Sequence, residues 1–397
     1  MEQLPYPRDA QRAFGVRDRV WLCLTTLRHR RFVEDAIHLS GLPRGANMRL
    51  RYRRQYIDET LWSRISEGET GQGVYALVVL GATGCDGKNV VRPLRKARVR
   101  SVRCDGSVLI IDIVLDDFVL DLIPGMSLWG EVQQSGSELP VRFGPTPQGG
   151  KYLQELKAAP ERLSASQSIE GWERSAQAFF EVAAAEAAGA GDGPIKIPFL
   201  YFLAPPPQRW YWRFNNEGVM DLEAGHSLTL EVHTATAPAI GVLHNPVGEV
   251  LLELSHPAAT FSSSRRVRVD SRRDVRAVRI ATPALFRRAY GHLSVRTVVF
   301  VNARSADAAE PEVCEREAMS AKTRDELVMA RFDFPLGVGR GTPVLASLLV
   351  SIAAGVATYK SPADGGGLTW GSLLTPAIVT LLAFGGLLLG LRKDGKA

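Results

Sequence analysis

Residues 98–115 read RVRSVRCDGSVLIIDIVL, and this stretch decides the fold class. Two runs that are rich in β-branched residues, 98–104 and 108–115, lie on either side of the dipeptide Asp105-Gly106. An Asp-Gly pair favours the tight turn that joins two antiparallel strands, because glycine adopts positive φ angles at no steric cost. We therefore expect a β-hairpin here.

The strand pattern continues on the N-terminal side of this hairpin. Residues 46–57 alternate arginine with apolar or aromatic residues, and residues 74–80 form an unbroken run of apolar and aromatic residues. The glycine-rich segment 81–89 lacks the spacing of a phosphate-binding P-loop, and Pro93 disfavours the helix that should follow one. That segment is interpreted as a hairpin loop. We expect residues 1–148 to form an antiparallel, β-rich domain.

The next segments predict a helical connector over 149–194 and a second β-rich domain over 195–335. In the connector, apolar residues recur at helical spacing and Gly189 and Gly191 end the run; these residues are Ile169, Trp172, Ala176, Phe179 and Ala183. In the second domain we expect a short helix near 311–322, followed by a last strand over 326–334.

One internal similarity links the two β-rich regions. Residues 119–132 and 219–232 are identical at eight of fourteen aligned positions. Gly125 and Gly225 are each expected at a positive-φ turn position, followed by a strand. Two interpretations stay open: a duplicated, β-sandwich-like unit, or two unrelated hairpins that converge on the same kind of turn.

The C-terminal residues 336–397 predict a two-helix transmembrane hairpin. Residues 343–359 and 373–391 carry no charge. As helices they would be roughly 26 and 28 Å long, close to the hydrocarbon thickness of about 30 Å. Small residues repeat every four positions in both runs and would let helix backbones approach closely, within one chain or between chains of a homo-oligomer; they are Ser347, Ser351, Gly355, Gly386 and Gly390.

The charges next to the two runs predict their orientation. Arg340 precedes the first run, and Arg392, Lys393 and Lys396 follow the second. By the positive-inside rule, both chain termini lie in the cytoplasm. We expect a multi-pass protein of a bacterial inner membrane. The alternative is a pair of buried helices in a globular core.

The sequence shows no pattern typical of catalysis. The seven histidines and four cysteines are scattered without metal-ligand spacing, and no nucleophile motif is present. We therefore predict a non-enzymatic protein without a cofactor. Cysteines scattered without CxxC spacing suit a reducing compartment.

Two basic clusters are the best candidates for a binding site. Residues 88–103 contain seven basic residues and no acidic one; residues 265–288 contain nine basic and two acidic residues. Arginine binds phosphate in a bidentate manner, so a nucleotide, a nucleic acid or an anionic lipid head group would fit; the alternative is a solvated face of an arginine-rich chain. The candidates are Arg95, Arg98 and Arg100, with Arg265, Arg266, Arg268, Arg272, Arg273, Arg276 and Arg279.

An aromatic run, RWYWRF at 209–214, also has two interpretations. It is either a strand that buries Trp210, Trp212 and Phe214, which the alternation favours, or a platform for base stacking.

Together these features predict a mainly β cytosolic body attached to a membrane hairpin. The body would bind a protein partner or an anionic, nucleotide-like ligand and act through the hairpin. In architecture alone this is similar to membrane effectors of bacterial antiviral defence systems. The alternative is a membrane-tethered structural or assembly scaffold in which the hairpin is only an anchor.

Overall fold

The structure is a computed structural model of the chain. It describes residues 11–27, 30–83, 89–121, 151–160, 163–189, 197–204, 212–215, 217–238, 247–282, 289–300 and 326–339.

The N-terminal half of the described chain forms an eight-stranded sheet, which we call the N-terminal sheet. Its strands are β1 (Gln11–Arg12), β2 (Arg19–Thr26), β3 (Asn47–Arg53), β4 (Val74–Thr83), β5 (Asn89–Asp105), β6 (Val108–Asp121), β7 (Leu153–Glu155) and β8 (Leu163–Ser166). The strand order is β1-β8-β6-β5-β4-β2-β7, and β3 pairs with β6.

The predicted hairpin is confirmed as β5 and β6, which pair antiparallel from Arg95 to the turn. Gly106 has φ 58°, the left-handed conformation that the Asp-Gly dipeptide predicts. Strands β4 and β5 also pair antiparallel, from Tyr75 opposite Arg98 to Thr83 opposite Asn89. The glycine-rich segment therefore connects a hairpin, as the sequence predicts.

Three α-helices accompany the sheets: α1 (Arg30–Gly41), α2 (Glu59–Ser66) and α3 (Ile169–Gly189), with a 3₁₀ turn at Arg54–Tyr56. The predicted helix with an end at Gly189 is confirmed as α3. It buries Trp172, Ala176 and Phe179 and packs on β4, β5 and β6. The N-terminus of α2 is capped by Asp58, whose Oδ1 accepts a hydrogen bond from the Leu61 backbone N–H at 3.1 Å.

The C-terminal half forms two further sheets. The six-stranded sheet has the order β10-β11-β18-β17-β13-β15, and the four-stranded sheet has the order β14-β16-β12-β9. The strands are β9 (Phe199–Ala204), β10 (Trp212–Phe214), β11 (Met220–Glu223), β12 (Ser227–Thr236), β13 (Gly248–Ser255), β14 (Thr260–Phe261), β15 (Arg266–Val269), β16 (Arg273–Ala281), β17 (Ala289–Phe300) and β18 (Glu326–Gly339).

Two predictions on this half are confirmed. Gly225 has φ 83° at the turn before β12, and the apolar residues Leu228 and Val232 of that strand are buried. The last predicted strand, 326–334, is the longer strand β18.

The body is mainly β, as predicted, but its sheets are not purely antiparallel. Strand β2 pairs parallel to β4, and β11 pairs parallel to β18. A hairpin signal in the sequence identifies antiparallel neighbours, whereas parallel neighbours are joined by distant segments and leave no local signal.

The hydrophobic core extends across all three sheets. One cluster of buried side chains includes Ile111 of the N-terminal sheet, Phe202 of the four-stranded sheet, Phe334 of the six-stranded sheet, and Trp172 of α3. A smaller cluster around Phe14, Leu77 and Val79 covers part of the opposite face of the N-terminal sheet. The remainder of that opposite face, over β3, β6 and the end of β5, contains exposed residues.

His38 joins α1 to the strands that pack on it. Its Nε2 donates to the carbonyl oxygen of Arg331 on β18 at 3.0 Å, and its Nδ1 lies 3.4 Å from the hydroxyl of Tyr201 on β9. Burial of the ring lowers the pKa of His38 to about 4.

Several sequence predictions fall on residues that the structure does not describe. They are the helix near 311–322, the first copy of the internal similarity beyond residue 121, Trp210, and the spans 343–359 and 373–391. Within the described residues, no helix has the length and apolar character needed to cross a membrane. The domain boundaries stay a prediction.

We expect acid to destabilise the protein through His38. Between pH 6.5 and 4 the unfolded chain binds a proton at this residue and the folded chain does not, so stability falls as the pH falls, by about 3 kcal/mol in total. His38→Gln keeps a donor for the Arg331 carbonyl but lacks this titration. The difference in free energy of unfolding between variant and wild type, measured by urea titration of the full chain in non-ionic detergent, should shift by that amount.

Asp35 also titrates in this pH range. Its burial raises the pKa of the carboxyl to about 7, so its contribution to stability falls as the pH rises from about 4 to 7; this contribution is the same in both proteins and cancels in the comparison. A difference that stays constant from pH 7 to pH 4 would show that His38 is not buried in this way.

Candidate functional site

Six arginines lie on one exposed face of the N-terminal sheet, which we call the basic face. Strand β3 alternates buried Met48, Leu50 and Tyr52 with exposed arginines, because successive side chains of a strand point to opposite faces. Strand β5 contributes Arg98 and Arg103, which lie on the same face as the β3 arginines, and Arg100, which lies in a bulge. All three are exposed. The six are Arg49, Arg51, Arg53, Arg98, Arg100 and Arg103.

Strand β6 holds the two groups of arginines in register. It pairs with β3 on one side and β5 on the other, so that Ile110 lies between Arg51 and Arg103. Neighbouring strands are about 4.8 Å apart, which puts these two arginines roughly 10 Å from each other across the face. The pattern continues along the strand: Asp112 lies between Arg49 and Ser101.

Few carboxylates neutralise this face. Asp112 accepts a hydrogen bond from Arg49 Nε at 2.7 Å and another from the Ser101 hydroxyl at 3.0 Å. These contacts with Arg49 and Ser101 outweigh partial burial and lower the pKa of Asp112. Asp105 lies at the tip of the hairpin. Among the described residues, Arg49 is the only arginine of the six that lies within ion-pair distance of a carboxylate.

A cavity of about 400 Å³ adjoins the basic face where β4 and β5 approach the six-stranded sheet. Its walls combine two cations with aromatic rings and side-chain amides. The principal lining residues are Gln72, Tyr75, Arg98, Arg100, Phe214 and Asn215. We call this the nook.

Close contacts between sheets build the nook. Gly45 has φ 92°, and a Cβ built there would lie 2.8 Å from the Phe214 ring, so the ring packs directly on the backbone. Asn47 Nδ2 donates to the carbonyl oxygen of Glu217 at 3.0 Å. Gly218 is close enough to Asn47 that an added Cβ would overlap with its amide. These contacts fix the β10–β11 turn against the start of β3.

Asn215 shapes that turn. Its Oδ1 accepts hydrogen bonds from the backbone N–H groups of Glu217 and Val219, at 2.8 and 3.0 Å. This is the side-chain turn that asparagine favours. Both lone-pair directions of Oδ1 are thereby used, and the Nδ2 amide group is the part of the side chain that remains for other contacts.

The structure separates Arg95 from its two sequence neighbours Arg98 and Arg100. Arg95 is 1% exposed, and its guanidinium lies 3.8 Å from the centroid of the Phe118 ring. Burial lowers the pKa of Arg95 to about 9, against the opposing effect of Asp117 and Asp116. Arg44 pairs with Asp116 at 2.8 Å. Arg95 therefore belongs to a buried charge cluster and does not contribute to the basic face.

The second predicted cluster is divided between two sheets. Arg266 and Arg268 lie on β15 of the six-stranded sheet, whereas Arg273, Arg276 and Arg279 lie on β16 of the four-stranded sheet. All are exposed, and so are Arg265 and Arg272. The buried partners Val267, Val269, Val278 and Ile280 match the predicted alternation, but Val275 is 52% exposed.

Part of this second cluster is already neutralised. Arg266 lies 3.5 Å from Glu249, Arg273 lies 2.8 Å from Glu173 of α3, and Arg276 lies 2.8 Å from Asp274. The arginines of this cluster are also divided between the six-stranded and the four-stranded sheet. The basic face is therefore the better candidate, because its arginines share one sheet and adjoin a cavity.

Arg98 and Arg100 are among the site residues that the sequence predicts, whereas the arginines of β3 and the residues that close the nook are not. The alternation over 46–57 places Arg49, Arg51 and Arg53 on one face, yet which strand lies beside them is a tertiary property. Trp212 is buried, as predicted, whereas Phe214 is half-buried and lines the nook.

Searches against models of known protein families and among curated proteins give no match to this chain. Within the described residues, no group of three or more histidine, cysteine or acidic side chains could hold a metal ion. The predicted absence of catalysis and of a cofactor stays a prediction.

The buried and the exposed arginines of β5 should respond differently to replacement. Arg95→Ala removes the buried cation beside Asp116 and Asp117 and leaves space next to Phe118, so we expect a loss of about 3 kcal/mol in the free energy of unfolding. Arg98→Ala, at an exposed position on the same strand, should stay within about 0.5 kcal/mol of wild type. Urea titration measures both; equal losses would contradict the buried placement of Arg95.

Proposed function

We propose that the β-rich body is a receptor for a phosphate-bearing anion, which binds on the basic face. The observation that carries this proposal is the arrangement of six exposed arginines on β3 and β5, the two strands that flank β6; among the described residues only Arg49 of the six has a carboxylate partner. Guanidinium groups bind phosphate oxygens through paired N–H donors, and the planar fork of arginine loses less conformational entropy per hydrogen bond than the ammonium group of lysine.

In this proposal the chain has the domain organisation that the sequence predicts. Two β-rich units and a helical connector form a cytosolic region, and a C-terminal transmembrane hairpin places the protein in a bacterial inner membrane. The protein is a non-enzymatic component that signals to the membrane or acts on it, as a membrane effector of a defence system would.

The position of β18 supports a link between ligand and membrane. Phe214, which lines the nook, lies 6.2 Å from the Phe334 ring of β18. Strand β11, on the far side of the β10–β11 turn, pairs parallel to β18 up to Gly339. Only three residues separate Gly339 from the first predicted span at 343–359. A shift of the turn on ligand binding would therefore act on the strand that precedes that span.

The competing proposal is a tethered assembly scaffold in which the hairpin is only an anchor. It differs in one testable respect: a passive anchor tolerates replacement by an unrelated transmembrane hairpin of the same topology. An effector that acts through its own hairpin loses its effect on membrane potential after that replacement.

We expect the full chain in detergent micelles or nanodiscs of neutral lipid to bind inorganic tripolyphosphate. Arg98→Ala combined with Arg100→Ala should weaken binding by roughly 10- to 100-fold, because each charged hydrogen bond contributes about 1.5–3 kcal/mol when buried and less when exposed. Isothermal titration calorimetry at low salt measures the dissociation constant, which should also rise with ionic strength.

The chain offers a matched control for this experiment. Arg265→Ala with Arg268→Ala removes two exposed arginines from the second cluster and should change the dissociation constant less than twofold. The proposal fails if wild type does not bind tripolyphosphate at low salt, or if the two double variants lose affinity equally.

The membrane topology is tested separately. We expect a C-terminal fluorescent protein to be fluorescent in cells, and alkaline phosphatase inserted into the loop between residues 360 and 370 to be active, because both termini are predicted to be cytoplasmic and the loop is predicted to be outside. An inactive phosphatase in that loop, in a protein that fractionates with membranes, would contradict the predicted hairpin.

A further inference from the structure

We infer that the phosphate-bearing ligand is a nucleotide, with its base in the nook beside Phe214 and its phosphates on Arg98 and Arg100. This inference rests on the proposed function and adds the chemical class of the ligand.

The size and lining of the nook fit one nucleoside. Its volume of about 400 Å³ lies within the range of about 300–1,000 Å³ that is usual for small-molecule sites. An inorganic phosphate gains no favourable contact from an aromatic ring, whereas a base can stack on one and bond to side-chain amides. The nook presents aromatic rings and amides next to two cations.

Phe214 is the side chain best placed to contact a base. The ring is half-buried and is supported by the Gly45 backbone and by Phe334, so it has a fixed position before a ligand binds. A rigid aromatic surface of this kind favours stacking or edge contact with a base. Tyr75 is less available, because the Lys96 ammonium group lies 4.4 Å from the centroid of its ring.

The amides of the nook supply hydrogen-bond groups for the edge of a base. Two backbone N–H groups orient Asn215 through its Oδ1, which leaves its Nδ2 as a donor at a fixed position. Gln72 is exposed and brings both a donor and an acceptor. Every base has ring nitrogen or carbonyl acceptors that such donors would bind.

Arg98 and Arg100 would bind the phosphates. Both are exposed and line the nook, and within the described chain neither lies within ion-pair distance of an acid. The rest of the basic face continues from them toward Arg103 and Arg51, so several linked phosphates could follow the same surface.

The basic face favours a nucleotide over a nucleic-acid strand. The β6 residues at its centre are Ile110, Asp112 and Val114, and none of them is aromatic. Proteins that bind single strands place aromatic rings along the path of the backbone, one for each stacked base. Among the described residues of this surface, the aromatic rings lie at the nook, which has room for one base.

The test compares nucleoside triphosphates with inorganic tripolyphosphate, using the full chain in neutral-lipid nanodiscs without divalent metal. ATP, GTP, CTP and UTP are titrated separately. Tripolyphosphate carries at least as much negative charge as each nucleotide, so attraction of charges alone would make it the tighter ligand. We expect at least one nucleotide to bind about tenfold more tightly than tripolyphosphate.

Phe214→Leu then tests the position of the base. Leucine keeps an apolar contact with Phe334 but lacks the ring, and we expect the preference for the nucleotide to disappear while the affinity for tripolyphosphate stays within twofold. An unchanged thermal unfolding temperature shows that the variant folds, and the wild-type preference is measured independently of any variant.

The outcomes distinguish this inference from the proposed function. If tripolyphosphate binds as tightly as all four nucleotides, the nucleotide inference is wrong and the anion receptor stands. If wild type binds none of the five ligands, both are wrong. If the preference for a nucleotide survives Phe214→Leu, the base does not lie in the nook, and the inference as stated is overturned.

Discussion

The hydrogen bonding of β6 to strands on both of its sides is the constraint on which the rest of this structure depends. Over its first seven residues β6 pairs with β3 and with β5; its last four pair with β8. Because strand side chains alternate between faces, burial of Ile111, Ile113 and Leu115 on one face places Ile110, Asp112 and Val114 on the other, between the side chains of β3 and β5. The arginines of β3 and β5 are gathered there, since a shift of one residue in either pairing would bury guanidinium groups at high cost.

The nook depends on a second contact, between the β10–β11 turn and the start of β3. Gly45 and Gly218 allow two backbones to approach where any side chain would collide with Phe214 or Asn47. The same turn precedes the strand that pairs with β18, so one short segment contacts both the proposed binding surface and the strand before the predicted membrane spans.

Buried polar groups connect the elements beneath these surfaces. Arg95, Asp116 and Asp117 form a buried charge cluster beside Phe118, and His38 fixes α1 to both β9 and β18. Such groups stabilise a fold little by themselves, because desolvation offsets most of their attraction. Their consequence is that β5 and β18 have few alternative positions, because a shift of either strand would leave a buried polar group without its partner.

The sequence by itself determined local structure: the Asp-Gly hairpin, the helix that ends at Gly189, the strand that begins at residue 326, and the alternation of arginine with apolar residues. These follow from interactions over a few residues, so a single chain segment contains the information. It did not determine that β3 lies beside β6, that β11 runs parallel to β18, or that Arg95 is buried while Arg98 is exposed. Those properties depend on contacts between residues far apart in the chain, at a bulge or across sheets, and on the burial that results. The basic face and the nook are therefore products of tertiary structure, although every arginine in them is visible in the sequence.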